Sequence, residues 1–273
     1  MKMLISRLYD KLWTKLVEQT KDRTKIIHIF YDSFFVSYDS IYLKVKRKYA
    51  SLLQISLKFY DLRDTNVINK LSVIMQNIID QSDFLFYELP IEQKLLEATG
   101  LMNYLTPDND IDGLASYLYL ENNIKNIKYH PATIEAVLLL IHSLKLETHK
   151  LKLVILGRSK HLGNYLYHLL HNLFLQTDVI SKQTKDKEKI LKDADIVISC
   201  INQINQYSVE NLKDNSYLID VTFEEYKNKI YGSFIYDYAY QTTHNIAVSP
   251  SPGGVGKLTT LCLLKNYFKT FNK

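Results

Sequence analysis

Short apolar runs alternate along this chain with longer stretches of helical periodicity, and that alternation restricts its fold more than any other feature. Lys25–Asp32 (KIIHIFYD), Ile55–Leu62 (ISLKFYDL) and Asp83–Leu89 (DFLFYEL) read as strands in the first half. Between and before them, Ser6–Gln19, Asp39–Leu53 and Val67–Ile79 carry apolar residues at helical spacing, such as Leu8, Leu12 and Leu16 in the first. The second half repeats the pattern. Strands are predicted at Leu151–Leu156, Asp178–Ser181, around Ile196–Ser199, at Ser216–Val221 and at Asn245–Val248, with a polar helix at Lys185–Ala194 and a last helix at Leu258–Phe271. Strands that alternate with helices form parallel sheets covered on both faces, so the predicted class is α/β.

A chain of 273 residues is long enough for two modest domains. Its net charge of +5 suits anionic small ligands but is too small and too dispersed to argue for nucleic acid. Cys200 and Cys262 are the only cysteines, which gives neither a disulfide framework nor the spacing of a metal site. Cys200 ends the run Ile196–Ser199 and reads as a buried thiol. The N-terminal segment is charged throughout, without a secretory pattern, and no apolar run reaches membrane-spanning length, so a cytoplasmic protein is expected.

Five stretches carry candidate chemistry. Ser249–Thr260 (SPSPGGVGKLTT) concentrates Pro250, Pro252, Gly253, Gly254 and Gly256 in a shaped loop after a strand. It is not a nucleotide-triphosphate loop, because that motif needs glycine where Ser251 stands and Ser or Thr where Leu258 stands. Tyr42 and Lys46 are four apart and share a helix face, with Lys48 nearby. Such a pair can stack on a planar substrate and move protons, or can be an ordinary solvated basic face. Tyr87-Glu88-Leu89-Pro90 closes the third strand, and Asp110-Ile111-Asp112-Gly113 forms a polar turn that lacks the further acids of a calcium loop. Gly157-Arg158-Ser159, followed by Gly163, links a strand to a helix, as at a pyrophosphate site.

Together, and in this order, these motifs resemble the methylenetetrahydrofolate dehydrogenase/cyclohydrolase family. That family carries Tyr-x-x-x-Lys-x-Lys, Val-Gln-Leu-Pro, Asp-Val-Asp-Gly, Gly-Arg-Ser with a later Gly, and Pro-Gly-Gly-Val-Gly-Pro. The resemblance implies a folate-binding α/β domain over residues 1–132, with the helix 258–273 packing back on it. A Rossmann-type domain over 133–257 would follow, with a cleft between the two. It implies that Lys46 is the catalytic amine, that Tyr42 stacks on folate, and that Asp112 holds the pterin with Lys48, Pro252, Gly253 and Gly254 also at the substrate. Glu88 replaces the family's glutamine, and a carboxylate there is expected to pair with Lys46. His130-Pro131-Ala132-Thr133 would open the helix between the domains, with Thr133 as its cap.

For the cofactor, the resemblance implies Gly157, Arg158, Ser159, Gly163, Ser181, Lys182, Cys200 and Thr222, the last in place of a family glycine. An enzyme selecting NAD usually ends its second cofactor-domain strand in an acid. Here Ser181, Lys182 and Gln183 stand there, so NADP is favoured and NAD stays possible. The implied reaction oxidises 5,10-methylenetetrahydrofolate to the methenyl compound and hydrolyses it to 10-formyltetrahydrofolate. No metal is required, and the implied assembly is a homodimer formed through the cofactor domains. Two other readings stay open at this point: a dehydrogenase with weak or lost cyclohydrolase activity, and a non-catalytic folate- or nucleotide-binding remnant.

Overall fold

The computed structural model describes residues 1–19, 24–114, 129–227 and 229–269. It divides into two compact units: Leu12–Ala132 with Thr260–Lys273, and Met1–Lys11 with Thr133–Thr259. The class is α/β with parallel sheets, as the alternation predicts.

The first unit is built on a three-stranded parallel sheet in the order β2-β1-β3, formed by β1 (Ile26–Tyr31), β2 (Ser56–Asp61) and β3 (Phe84–Glu88). Alternation along a strand sends successive side chains to opposite faces. Phe30, Leu85 and Tyr87 therefore meet the buried side of helix Leu71–Asp80, where Leu71, Met75 and Ile78 complete the core. Phe84 faces the last helix, its ring 5.3 Å from that of Tyr267, whose hydroxyl donates to the Lys25 carbonyl at 2.9 Å. Helix Ile41–Leu52 begins at Ser40, whose Oγ accepts from the Leu43 amide, and it buries Leu43 and Ala50. That cap sets the helical phase in which Tyr42 and Lys46 follow one another.

Helical periodicity over Val67–Ile79 resolves into two helices, Thr65–Asn69 and Leu71–Asp80, broken at Lys70 (φ −107°, ψ 6°). Asp64 caps the first by accepting from the Asn66 amide, and the apolar spacing runs through the break without recording it. A further helix, Gln93–Thr99, lies in a stretch that no apolar pattern marked. The helix predicted to start at Thr133 starts at Ala132, so Thr133 belongs to its first turn and does not cap it.

The second unit holds a five-stranded parallel sheet in the order β12-β8-β6-β4-β5. Its strands are β4 (Lys152–Leu156), β5 (Gln176–Ile180), β6 (Ile196–Ser199), β8 (Tyr217–Asp220) and β12 (Ala247–Ser249). Near-continuous burial of Leu153–Leu156 and Ile196–Ser199 marks the centre of the sheet. Short strands flank it: β7 (Tyr207–Ser208) pairs in parallel with β11 (Phe234–Ile235), and β9 (Glu224–Tyr226) pairs antiparallel with β10 (Lys229–Tyr231). The last helix spans Val255–Lys269, three residues earlier than its predicted start, and its predicted end at Phe271 lies outside the described residues.

Candidate functional site

In the first unit, β3 delivers Phe86 and Glu88 to one face, and helix Ile41–Leu52 lays Lys46 over both. Lys46 Nζ is 2.8 Å from Glu88 Oε2 and 4.8 Å from the centre of the Phe86 ring. The contact is an ion pair without hydrogen-bond geometry. With side chains only 14% and 7% exposed, the pair sits largely out of water. Sequence-predicted pairing of Glu88 with Lys46 is thus what the geometry presents.

The turn Asp110–Gly113 adds a third charged group. Asp110 is buried, bridges in parallel to Leu85, and accepts from the Gly113 amide at 2.9 Å. Asn266 of the last helix donates to the Ile111 carbonyl at 3.0 Å and pins the same turn. So held, the Asp112 carboxyl is pushed up to about 7 by burial and by the neighbouring Asp110, with Glu88 adding and Lys46 opposing. Lys46, Glu88 and Asp112 therefore form one electrostatic cluster. Tyr42 is half-buried one turn before Lys46, whereas Lys48, two residues on, is exposed. Residues two apart on a helix do not share a face.

A native pKa above the unfolded value makes the folded chain bind more protons between about pH 4 and 7. Stability from this group is complete below that window and is lost as pH rises through it. Asp112→Asn removes the titration. The variant is expected to match the wild type in melting temperature near pH 4 and to exceed it increasingly toward pH 8, measured by thermal unfolding across that range.

The strand-to-loop segment preceding the Tyr42 helix is organised by Asp32, a fully buried carboxylate that sequence reasoning did not single out. Arg63 grips it through Nε at 2.8 Å and through a terminal nitrogen at 2.9 Å, and the Phe34 and Glu92 amides donate to it. Although burial opposes it, these donors hold the Asp32 carboxyl below the usual range. The loop that follows is thereby wound on Asp32, with Val36 buried and Phe34 77% exposed.

In the second unit, a cavity of about 770 Å³ opens beyond the C-terminal ends of β4, β5 and β6. Gly157, Arg158, Ser159, Ser181, Lys182 and Cys200 line it, as do Gln183 and Lys187. The site is built by a close crossing of backbone. Gly157 has φ +103°, and a Cβ on Gly163 would lie 1.9 Å from the Gly157 carbonyl oxygen. Ser159 organises the turn between them, its carbonyl accepting from Asn164 at 3.0 Å and its Oγ from Gly163 at 3.4 Å. Gly163→Ala is expected to destabilise the fold by about 1–3 kcal/mol, the usual range for overpacking, and to weaken nucleotide binding, read by thermal unfolding and by titration with AMP.

Such a cradle fits a dinucleotide: a glycine turn at the end of the first strand, a helix starting beneath it, and polar residues at the end of the second strand. Among the described residues that line the cavity there is no carboxylate. Cys200 is buried, and burial pushes its thiol up, so it serves as wall and not as nucleophile. Thr222 is not among the lining residues. Its hydroxyl donates at 2.5 Å to the carbonyl of Ile201, which is.

The Pro-Gly-rich loop is held by a network that no spacing in the sequence announced. Asp220, at the end of β8, accepts from Tyr236 Oη at 2.5 Å, from Ser233 Oγ at 2.8 Å, and from the amides of Ser233 and Phe234 at 2.9 and 3.2 Å. Tyr236 Oη in turn accepts from the Ser251 amide at 2.8 Å. Burial raises the Asp220 carboxyl against these donors, and burial together with Asp220 raises the Tyr236 phenol. Pro252, Gly253 and Gly254 follow directly, between β12 and the last helix. Gly232 lies in the centre of the network, where a Cβ would fall 2.4 Å from Asp220 Oδ2.

Comparisons with known proteins agree with one another. Residues 131–273 match the family model described as tetrahydrofolate dehydrogenase/cyclohydrolase, NAD(P)-binding domain. The bifunctional protein FolD of Mycoplasmopsis synoviae is 30% identical over 237 residues, covering 84% of this chain and 84% of that one. FolD of Clostridium botulinum is 28% identical over 267 residues, covering 95% and 92%. In fold, the chain is similar to the bifunctional methylenetetrahydrofolate dehydrogenase/cyclohydrolase of Campylobacter jejuni, with a TM-score of 0.80 at 21% identity over 97% of this chain and 96% of the other.

Proposed function

The chain belongs to the tetrahydrofolate dehydrogenase/cyclohydrolase family, and on that premise we propose that it oxidises 5,10-methylenetetrahydrofolate with NADP and hydrolyses the methenyl product to 10-formyltetrahydrofolate. The observation that supports this most is the electrostatic coupling of Asp112 to Lys46 and Glu88, an ion pair held largely out of water, the three coming from separated segments. A chain that kept only its fold has no need of that cluster.

Gly157, Arg158, Ser159, Ser181 and Lys182 would hold NADP in the cavity of the second unit, where it would supply the hydride acceptor for the oxidation. Everything else is work for side chains. Tyr42 stacks on the folate and fixes its plane, while Asp112 holds the pterin by hydrogen bonds. In hydrolysis, water adds to the methenyl cation and loses one proton, the bond from that carbon to N5 breaks as N5 takes a proton up, and the hydroxyl's remaining proton leaves to form the formyl carbonyl, so one proton is released net. Lys46 is the group that moves these protons, and Glu88 keeps its ammonium in place. Pro252, Gly253 and Gly254 shape the substrate's binding loop, and Tyr236 and Asp220 steady its first residues. Thr222 acts on the cofactor site through its bond to Ile201.

A second reading is favoured by one observation. Lys46 sits in an ion pair where the family has a neutral glutamine, so hydrolysis is the slower of the two activities. The protein is further proposed to act as a cytoplasmic homodimer that supplies 10-formyl groups for purine biosynthesis. Among the described residues, no helix is long and apolar enough to cross a membrane.

The test is oxidation of 5,10-methylenetetrahydrofolate by the purified protein with NADP or NAD, followed by absorbance of the reduced nicotinamide. Reduction of NADP, with NAD reduced more slowly, is expected. No reduction of either dinucleotide would overturn the proposal.

A further inference from the structure

Lys187 stands in a lysine-rich stretch that reads, from sequence, as a solvated helix face. Its place in the fold is more specific. Gly157 N donates to the Ile180 carbonyl at 2.8 Å, so the residues after β5 lie abreast of the glycine turn after β4. There the chain folds into a turn, Ser181–Thr184, closed by Thr184 N to the Ser181 carbonyl at 3.2 Å and by Ser181 N to Thr184 Oγ1 at 2.9 Å. Half-buried, Lys187 reaches back to this turn and donates from Nζ to the Lys182 carbonyl at 2.9 Å, at the wall of the same cavity.

We propose that Lys187 is the residue that selects a 2′-phosphorylated cofactor, by presenting its ammonium to that phosphate at the end of β5. The inference rests on the dinucleotide reading of the cavity given above and goes beyond it by naming the discriminating group.

Position supports it first. In dinucleotide folds the end of the second strand faces the adenosine ribose, and NAD-selecting proteins place a carboxylate there to accept from the 2′-hydroxyl. No lining residue described here is a carboxylate, so the hydroxyl of NAD lacks that charged acceptor while a phosphate meets cations. Preorganisation supports it next. Arg158 and Lys182 also line the cavity but are exposed, and a long exposed side chain must be ordered and is screened by salt before it contributes. Lys187 is already anchored by one of its three N–H donors, which leaves two for phosphate oxygens. The same bond ties Lys187 to the Ser181–Thr184 turn, in which the Ser181 hydroxyl donates to Gln183 Oε1 at 3.0 Å.

The experiment titrates the full chain with adenosine 2′,5′-bisphosphate and with AMP, which differ only in the 2′-phosphate, and repeats both with Lys187→Met and Lys187→Arg. The wild type is expected to prefer the bisphosphate. Lys187→Met should weaken bisphosphate binding about tenfold or more, the effect of losing one charge-assisted hydrogen bond, and change AMP binding less than twofold. Lys187→Arg, which keeps the charge, should retain most of the preference. Equal loss for both nucleotides, or no loss for either, would overturn the assignment of Lys187 while leaving the nucleotide site intact. Failure of the wild type to bind either nucleotide would instead remove the dinucleotide reading, and this assignment with it.

Discussion

Methionine in place of Lys46 is expected to reduce hydrolysis of 5,10-methenyltetrahydrofolate by about 10²–10⁴-fold, the usual contribution of a positioned acid–base group. Because the methenyl compound also hydrolyses unaided, the variant's rate should approach that background. The same change strands Glu88, a carboxylate only 7% exposed, without its cation. Breaking a buried pair from one side typically costs about 3–5 kcal/mol, so a fall in melting temperature is expected as well. Loss of activity through unfolding is separated from loss of chemistry by the double variant Lys46→Met, Glu88→Gln. It removes both charges and should recover most of the stability and none of the hydrolysis. Recovery of hydrolysis in that variant would remove Lys46 from the mechanism.

Glutamine in place of Glu88 alone should act in the opposite direction. In the wild type a proton leaves Lys46 only at the expense of an ion pair 2.8 Å long, in a site where water does little to screen it. A neutral amide can hold the amine by hydrogen bonding without that ion pair. Hydrolysis by Glu88→Gln is therefore expected to rise by about tenfold or more, the change in rate for about 1.4 kcal/mol of barrier. The rate of NADP reduction should change far less. An unchanged hydrolysis rate in a folded variant would show that the ion pair does not restrain Lys46.

Much of the fold was legible because of where its strands lie. Ile26–Tyr31, Lys152–Leu156 and Ile196–Ser199 are buried on both faces, so each leaves a continuous apolar run that survives without any other context. Elements of two or three residues, such as Tyr207–Ser208 and Phe234–Ile235, leave no period to find. The break at Lys70 was hidden for a different reason: Leu71, Met75 and Ile78 continue the apolar spacing across it. At the site, Tyr42 with Lys46 and Gly157 with Gly163 were legible as local spacings, and Glu88 as a departure from a recognisable motif. Asp32 with Arg63, Asp220 with Tyr236, and Asn266 with Ile111 were not. Each joins residues 16 to 155 positions apart, through side chains whose types are common on any surface. Lys187 is the sharpest case, because only the fold separates it from the lysines on either side.

Hydrolysis by Lys46, paired with Glu88, of the methenyl compound that this chain is proposed to produce can be read in a single reaction. The most direct measurement follows both products in one reaction of the wild type with 5,10-methylenetetrahydrofolate and NADP. Reduced cofactor and 10-formyltetrahydrofolate are expected together, with the methenyl compound consumed faster than it decays without protein. Reduced cofactor accompanied by methenyl compound that disappears only at its unaided rate would contradict it.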